Sequence, residues 1–398
     1  MSTIIGEIAA RRARVLGDHC VMPLPVSAPT LTDGVVTLRA HTPADVDGLV
    51  ALADDPETRR WTSIPHPYGP ADARRWIEHT VPAGWRDGTA ARWVVEEAGR
   101  FAGQVDVHVD RPPFVGFGLV PDARGRGLMS RALRLAARWA FTEAALPVLH
   151  WWAEVGNLTS WRVAHACGFT FEGTRRRALR RPGRLVDGWF ASLVPGEELT
   201  PRTVWWRPRE LVGERVRLRA HTDADVPRIV EACSDPRSRH WLATLPHPYT
   251  EDTAREFVLG CRLGESLGQR VTWAVADRDD DRLLANVSVF QLDDTINPTG
   301  GEIGYWAHPD ARGRGVVGEA VDLVVAHAFT PVEAGGLGRN RLQIGASRDN
   351  AASRHVAERA GFTLVGEVHQ DGLVGVGDER TLDDGVWYER LRPRRGSA

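Results

Sequence analysis

The chain has 398 residues, 42% of them hydrophobic and 26% charged, a length that suits two or three domains with cores of their own. All 50 basic residues are arginines, and the absence of lysine excludes a Walker-A nucleotide site, a protein kinase and a pyridoxal phosphate enzyme, each of which needs a lysine amine. The formal net charge of −2 favours neither nucleic acid nor an acidic membrane as a partner.

The N-terminal extension predicts a short amphipathic helix, because apolar residues such as Ile4, Ile8 and Leu16 are interrupted by charged side chains. This pattern lacks the unbroken apolar core of a signal peptide, and no stretch approaches the ~20 apolar residues of a membrane span. The four cysteines lie far apart, without the C-x-x-C spacing of a zinc site. We therefore expect a cytoplasmic protein with reduced thiols and no metal.

An internal repeat organises the chain. Residues 38–46, LRAHTPADV, return at 218–226 with a single change, and residues 121–127, PDARGRG, return unchanged at 309–315. The order of the shared segments is the same in both copies, which predicts two homologous domains. The predicted division is an N-terminal extension at residues 1–30, a first domain at 31–196, a linker at 197–210 and a second domain at 211–393.

Each copy alternates strands and helices in the same order. Predicted strands lie at 35–39, 92–96, 101–109 and 115–120 in the first copy, and at 215–219, 272–276, 283–291 and 302–307 in the second. Thr42 and Pro43 predict a helix start, with Asp45 placed to close a capping box. After the repeated loop a helix follows, and its predicted apolar face holds Leu128, Ala132, Leu135 and Trp139, or Val317, Ala320, Val324 and Ala328.

This order of elements predicts an α/β fold in which each domain has a mixed central sheet flanked by helices. Two such domains in one chain predict a monomer with an internal pseudo-dimer, in which the copies pack as two subunits of a dimer would.

The repeated Arg-Gly-Arg-Gly loop between a strand and a helix indicates a pyrophosphate site. Glycine adopts positive φ, and successive backbone N–H groups then form an anion nest at the helix N-terminus. A plain turn is the alternative for a single loop, but two identical loops at the same junction favour binding. The loop residues are Arg124, Gly125, Arg126 and Gly127 in the first copy and Arg312, Gly313, Arg314 and Gly315 in the second.

This loop, followed by N-x-x-S and a terminal G-F, resembles the GNAT superfamily of acyl-CoA-dependent N-acyltransferases. The LRAHTPADV strand, the PHPY segments and the GEIGYW strand at 301–306 resemble, more narrowly, its ribosomal-protein N-terminal acetyltransferase branch. The resemblance covers nearly all of both copies. It implies acetyl-CoA as co-substrate and a primary amine as acceptor.

The resemblance also implies which residues contact acetyl-CoA beyond the loop itself. They are Leu119, Val120, Leu128, Met129 and Asn157 in the first copy, and Trp306, Ala307, Val316, Val317 and Asn350 in the second. Two positions depart from the family's pattern. The last small residue of the loop is Met129 or Val317, which would crowd the pantetheine path, and the tyrosine of the N-x-x-S helix is Ala164 or Ala357, which excludes a tyrosine acid there.

Acyl transfer to an amine requires a base, donors for the oxyanion and a proton donor for the thiolate. By resemblance, Glu302 is the candidate base, Ser353 the donor near the sulfur, and the backbone around Trp306 and Ala307 the oxyanion site. A solvated strand-end carboxylate and a plain first-turn serine are the alternative interpretations. Because Phe114 aligns with Glu302, we expect the second domain to be catalytic and the first to be degenerate.

Other features leave alternatives open. In the first copy Glu154, Asp106 and Asp110 are candidates to replace the missing carboxylate. Residues 175–184 hold six arginines, which indicate a solvated hairpin arm or a docking site for an acidic peptide or the CoA 3′-phosphate. His66 and His247, each between prolines, suit an acceptor pocket and a rigid turn equally well.

The predicted function is acetyl-CoA-dependent N-acetylation of a peptide or protein N-terminal α-amine. Acetylation of a small-molecule amine, such as an antibiotic or a biosynthetic intermediate, is the alternative among enzymes. A non-catalytic acyl-CoA-binding scaffold or sensor is the alternative outside them.

Overall fold

The computed structural model describes residues 24–25, 27–109 and 112–393, and the helix predicted near the N-terminus lies outside them. The chain divides into two compact units, unit 1 ending at Arg202 and unit 2 beginning at Thr203. The predicted pseudo-dimer stays a prediction, and each unit is described by itself. Within the described residues no helix is long and apolar enough to cross a membrane.

Unit 1 contains an eight-stranded sheet in the order β1-β2-β3-β4-β5-β6-β8-β7, flanked by helices. Its strands are β1 (Leu31–Thr32), β2 (Val36–Arg39), β3 (Ala90–Glu97), β4 (Arg100–His108), β5 (Phe114–Leu119), β6 (Leu149–Glu154), β7 (Thr170–Arg181) and β8 (Arg184–Leu193). Its helices are α1 (Val46–Asp54), α2 (Pro56–Trp61), α3 (Pro70–Arg75), α4 (Val81–Arg86), α5 (Leu128–Thr142) and α6 (Leu158–Ala166), with a π-helical turn at Trp76–Thr80.

Unit 2 repeats this architecture, with an eight-stranded sheet in the order β9-β10-β11-β12-β13-β14-β16-β15. Its strands are β9 (Leu211–Val212), β10 (Val216–Arg219), β11 (Val271–Asp277), β12 (Leu283–Phe290), β13 (Glu302–Ala307), β14 (Arg341–Ser347), β15 (Thr363–Val374) and β16 (Thr381–Leu391). Its helices are α7 (Val226–Ser234), α8 (Pro236–Trp241), α9 (Glu251–Ser266), α10 (Val316–Phe329) and α11 (Ala351–Arg359).

One parallel strand pair interrupts each otherwise antiparallel sheet. β5 and β6 are joined at a single pair of residues, Phe114 with His150, and β13 and β14 at Glu302 with Gln343. No further ladder bonds join the two strands beyond that pair, which shows that the strands diverge there. The mixed sheet predicted from the sequence is therefore confirmed, and each unit has a V-shaped gap at the centre of its sheet.

The repeated LRAHT segment folds alike in both units because of its capping box, as predicted. The Thr42 N–H donates to the Asp45 carboxylate at 2.7 Å, and Thr222 donates to Asp225 at 2.8 Å. The guanidinium of Arg39 donates two further hydrogen bonds to Asp45, at 2.8 Å each. Burial opposes the ionisation of Asp45, but these hydrogen bonds prevail and lower its pKa.

The helix after each repeated loop packs its apolar stripe on the sheet. In α5 the side chains of Leu128, Ala132 and Trp139 are buried, as predicted, whereas Leu135 is only half-buried. In α10 Val317 is likewise half-buried. Val317 is more exposed than the other predicted apolar side chains of α10 because it lies in the first turn of the helix, at the edge of the central gap. Its side chain therefore faces the cleft described below.

Unit 1 buries a polar cluster in which several atoms have no hydrogen-bond partner among the described residues. These atoms are both ring nitrogens of His41, Nε1 of Trp76, Nε of Arg92, Oε1 of Gln104 and Oδ1 of Asp106. Arg92 and Asp106 lie opposite each other on β3 and β4, and neither is more than 8% exposed. Burial raises the pKa of Asp106 to about 7, although the Arg92 charge acts in the opposite direction.

Unit 2 satisfies most of the same positions with smaller polar groups, and only Nδ1 of His221 has no hydrogen-bond partner among the described residues of this cluster. His221 Nε2 lies 2.8 Å from Asn286 Oδ1, and the Asn286 amide donates to Ser288 Oγ at 3.3 Å. The Ser288 hydroxyl donates in turn to Thr272 at 3.0 Å. Thr272 and Ser288 occupy the register positions of Arg92 and Asp106. The two homologous sheets therefore differ in the number of buried polar atoms that have no hydrogen-bond partner among the described residues.

We expect the buried carboxyl of Asp106 to make the stability of unit 1 depend on pH. Native unit 1 retains a proton there from about pH 4 to about pH 7 that the unfolded chain has lost, so its free energy of unfolding falls as pH rises through that window. Asp106→Asn removes this dependence and stabilises unit 1 relative to wild type at about pH 8, by on the order of 4 kcal/mol.

Urea-dependent hydrogen exchange of peptides from β4 and β5, compared at about pH 5 and about pH 8, measures this difference. Asp122→Asn, at an exposed aspartate of the same unit, is the matched control. An Asp106→Asn protein whose stability changes with pH as wild type does would contradict the expectation.

Candidate active site

A cleft of about 690 Å³ lies in unit 2, where β13 and β14 diverge. Residues 303–307 of β13 and 344–347 of β14 form its sides, and the first turns of α10 and α11 close one end. The predicted cofactor-binding residues that line it are Trp306, Ala307, Arg312, Gly313, Gly315, Val316, Val317 and Asn350. The candidate donor Ser353 also lines the cleft, whereas the candidate base Glu302 lies next to the lining residue Ile303.

The repeated loop has the geometry of an anion nest. Gly313 and Gly315 have φ of +72° and +76°, values in the left-handed region that favours glycine. In the described chain the backbone N–H groups of Gly313, Arg314 and Gly315 donate to no backbone or side-chain acceptor. Helix α10 begins at the next residue, so its positive dipole end points at the same place.

The arginines of the loop are largely engaged by protein carboxylates. The guanidinium of Arg312 donates to Asp235 at 2.5 Å and to Ser238 at 2.8 Å, and thereby braces the loop against the start of α8. Arg124 makes the equivalent bonds to Asp55 and Thr58 in unit 1. The hydrogen-bond donors that the loop offers to a ligand are therefore mainly backbone N–H groups.

Three basic side chains that the sequence analysis missed also line the cleft, namely Arg237, His355 and Arg359. They belong to α8 and α11, outside the loop motif. The corresponding residues of unit 1 are Glu57, Arg162 and Ala166, so unit 1 has no positive charge at the positions of Arg237 and Arg359. Comparing the two copies position by position, instead of reading only their shared motifs, would have pointed to Arg237 and Arg359.

Glu302 lies at the apex of the gap, as the first residue of β13. Its carboxylate accepts a hydrogen bond from the Gln291 amide at 2.8 Å. Burial, together with the neighbouring carboxylate of Asp371, raises the pKa of Glu302 to about 7. A carboxylate with this pKa is half-ionised near neutral pH, where it can accept a proton and release it again.

Ser353 is held in the first turn of α11, where its N–H donates to the capping side chain of Asn350 at 3.2 Å. Its hydroxyl lies 2.9 Å from the hydroxyl of Tyr305 on β13. Burial raises the pKa of Tyr305 to about 12, so this hydroxyl keeps its proton. The N-x-x-S helix has Ala357 where the family has a tyrosine, but a tyrosine hydroxyl from β13 lies beside Ser353. The sequence alone did not predict this contact.

The same positions in unit 1 carry different chemistry. Phe114 stands where unit 2 has Glu302, and it stacks on His108 with ring centres 4.2 Å apart. Trp152, at the register position of Gly345, packs on the other side of Phe114 at 4.3 Å. Phe117 replaces Tyr305 and offers no hydroxyl. An aromatic row therefore fills the space around the base position of unit 1.

Two of the three carboxylates that are candidate substitutes in unit 1 do not lie at that position. Glu154 is paired with Arg181 at 2.8 Å, and Asp106 belongs to the buried polar cluster. Asp110 lies outside the described residues. His66 and His247 both precede a proline through a cis peptide bond, and both side chains are exposed.

Known proteins show similarity to both copies. A family model described as the acetyltransferase (GNAT) domain matches residues 36–170 and 215–363. "Putative ribosomal N-acetyltransferase YdaF" of Bacillus subtilis is 28% identical over 193 residues, which cover 46% of this chain and 93% of that protein. "Probable N-acetyltransferase YjcK" of the same organism is 33% identical over 110 residues, 28% of this chain and 52% of that protein. The solved structure of Mycobacterium smegmatis RimJ in complex with CoA-disulfide is 22% identical, with a TM-score of 0.40, and the match covers 43% of this chain and 90% of that one.

Proposed function

From the premise that this chain belongs to the GNAT family of acetyl-CoA-dependent N-acetyltransferases, we propose that unit 2 carries the reaction and that its acceptor is the N-terminal α-amine of a peptide or protein. The observation that carries the assignment to unit 2 is the pair of equivalent strand positions occupied by Glu302 and Phe114. Only the first of these side chains can take up a proton.

Glu302 acts as the base in the proposed reaction. Its ionised carboxylate removes a proton from the substrate ammonium group, directly or through one water, because only the neutral amine can attack the thioester carbonyl. Backbone N–H groups of β13 that face the gap stabilise the negative charge that develops on the carbonyl oxygen. As the tetrahedral intermediate collapses, the C–S bond breaks, the nitrogen releases its second proton to solvent and the neutral amide forms.

The departing thiolate needs a proton. The hydroxyl pair of Tyr305 and Ser353, on the opposite face of β13 from Glu302, passes one to the sulfur and regains one from solvent. Side chains alternate between the two faces of a strand, so positions 302 and 305 project to different faces. The loop N–H groups bind the pyrophosphate of CoA, while Arg237 and Arg359 provide positive charge around it and His355 lines the same cleft. The half-buried Val317 narrows the cleft without closing it.

The proposal of an α-amine acceptor rests on the LRAHTPADV and GEIGYW segments and on the similarity to YdaF, which is named as a putative ribosomal N-acetyltransferase. Release of CoA by the full chain tests the proposal on matched acceptors: a lysine-free peptide with a free N-terminus, the same peptide with a formylated N-terminus, and a set of small polyamines. We expect release with the free peptide and none with the formylated one. Turnover of the small amines alone would assign a small-molecule acceptor, and CoA binding without any turnover would favour the sensor.

A further inference from the structure

Unit 1 contains a second cavity, of about 790 Å³, that has no part in the acetyl transfer proposed for unit 2. Three segments surround it: residues 56–66, which comprise α2 and the loop after it, the end of β6, and the tip of the β7–β8 hairpin at residues 181–184. We call this cavity the arginine pocket. Four arginines line it, Arg59, Arg60, Arg181 and Arg184, and Glu154 is the only carboxylate among the lining residues.

One of these arginines, Arg181, is held in place by hydrogen bonds and forms part of the pocket wall. The Arg181 guanidinium donates to Glu154 at 2.8 Å and to the Trp61 carbonyl at 2.7 Å. Both partners of this ion pair are largely buried, with side-chain exposures of 14% and 18%. The hairpin tip, the end of β6 and α2 are thereby held together, so the arginine pocket is preformed.

The N–H donors of the other three guanidinium groups remain available to a ligand. Arg60 lies over the Trp61 ring at 4.6 Å, and the carboxylates nearest to Arg59 and Arg184 are 4.0 Å and 3.7 Å away. Within the part of the chain that the structure describes, none of the three side chains donates a hydrogen bond. Guanidinium groups bind carboxylate and phosphate oxygens in a two-pronged geometry, and three groups that donate no hydrogen bond at one cavity favour a ligand with more than one anionic group.

Unit 2 lacks this concentration of positive charge. Ser347 stands at the strand position of Glu154, and His240 at that of Arg60. The hairpin of unit 2 carries carboxylates, among them Asp371 and Asp384. The arginine pocket is therefore a property of unit 1 and not of the shared fold.

We propose that the arginine pocket binds a ligand with two or more oxyanion groups, either carboxylates or phosphates. Glu154, two residues beyond Trp152 on β6, connects the pocket to the aromatic row that replaces the base position. Because the base position of unit 1 holds Phe114, which cannot take up a proton, this binding is not coupled to acetyl transfer in unit 1. Unit 1 is thus a binding module attached to a catalytic one.

Calorimetric titration of the full chain in saturating CoA tests the proposal, with inorganic pyrophosphate and citrate as separate probes. We expect binding that weakens with added salt, because the contacts are ionic. Arg60→Gln combined with Arg184→Gln should lower the affinity at least about tenfold, as expected when two charged hydrogen-bond donors are lost. Tighter binding of pyrophosphate assigns phosphate groups to the ligand, and tighter binding of citrate assigns carboxylates.

The matched control is Arg176→Gln combined with Arg180→Gln, which removes the same charge from exposed positions of the same hairpin outside the pocket. Its affinity should stay within about twofold of wild type. The absence of binding to wild type overturns the proposal, and so does an equal loss in both double variants. Thermal unfolding confirms that each variant is folded, and CoA release by unit 2 should be unchanged in all of them.

Discussion

Glu302→Gln is expected to lower kcat/KM for the amine acceptor by about 10²–10⁴-fold, the usual contribution of a positioned general base. Glutamine has the shape of glutamate and keeps a hydrogen-bonding group beside Gln291, so the strand should fold unchanged. The loss arises because an amide cannot accept the proton of the substrate ammonium group. Affinity for CoA should remain close to that of wild type, since the side chain lies outside the residues that line the cleft.

The pH profile distinguishes this role from a structural one. The pKa of Glu302 is raised to about 7, so the fraction of the active, ionised form increases with pH and levels off above that value. Wild-type kcat should therefore rise through about pH 7, and the Glu302→Gln profile should lack this limb. Glu256→Gln, at an exposed position of α9, is the matched control. Equal turnover of Glu302→Gln and wild type across the pH range would refute the assignment.

Giving the unit 2 cleft the residues of unit 1 should weaken CoA binding. Arg237→Glu with Arg359→Ala introduces the side chains found at positions 57 and 166, and we expect Kd for CoA to rise roughly 30-fold. This corresponds to about 1 kcal/mol for each partly exposed charge contact with a phosphate. The dependence of Kd on salt should also become shallower, because fewer ionic contacts remain.

Isothermal titration with CoA measures both effects. Arg255→Glu with Arg380→Ala makes the same change of charge at exposed positions outside the cleft and should alter Kd by less than about threefold, since exposed charges at a distance are screened. A similar rise in Kd for both double variants would show that only the total charge of the protein matters. An unchanged Kd for Arg237→Glu with Arg359→Ala would show that the phosphates bind elsewhere.

Local chemistry in the sequence was enough to predict the elements of the fold. The strand at 302–307 has the predicted bounds, because its end is set by the Gly-rich loop that follows directly in the sequence. The same holds for the capping box of Thr42 and Asp45 and for the positive φ of Gly313 and Gly315. Such features depend on contacts within a few residues, which a single sequence displays directly.

The candidate site was only partly predictable. Glu302 and Ser353 were chosen by resemblance, whereas the partner of Ser353, the hydroxyl of Tyr305, lies 48 residues away in the chain. The engagement of Arg312 by Asp235, 77 residues away, was equally invisible. Both contacts exist only because a sheet and its helices bring distant segments together.

The sequence by itself determined that this protein is two copies of one α/β domain, each with a Gly-rich loop at the start of a helix. The tertiary structure alone decided which charges remain available to a ligand. In the cleft Arg312 is paired with Asp235, while Arg237 and Arg359 are exposed. In unit 1 Arg181 is paired with Glu154, while three other arginines line the arginine pocket without donating a hydrogen bond to the described residues. The physical reason is that a charge is available or engaged according to its neighbours in space, and those neighbours are fixed only when the strands pair and the helices pack.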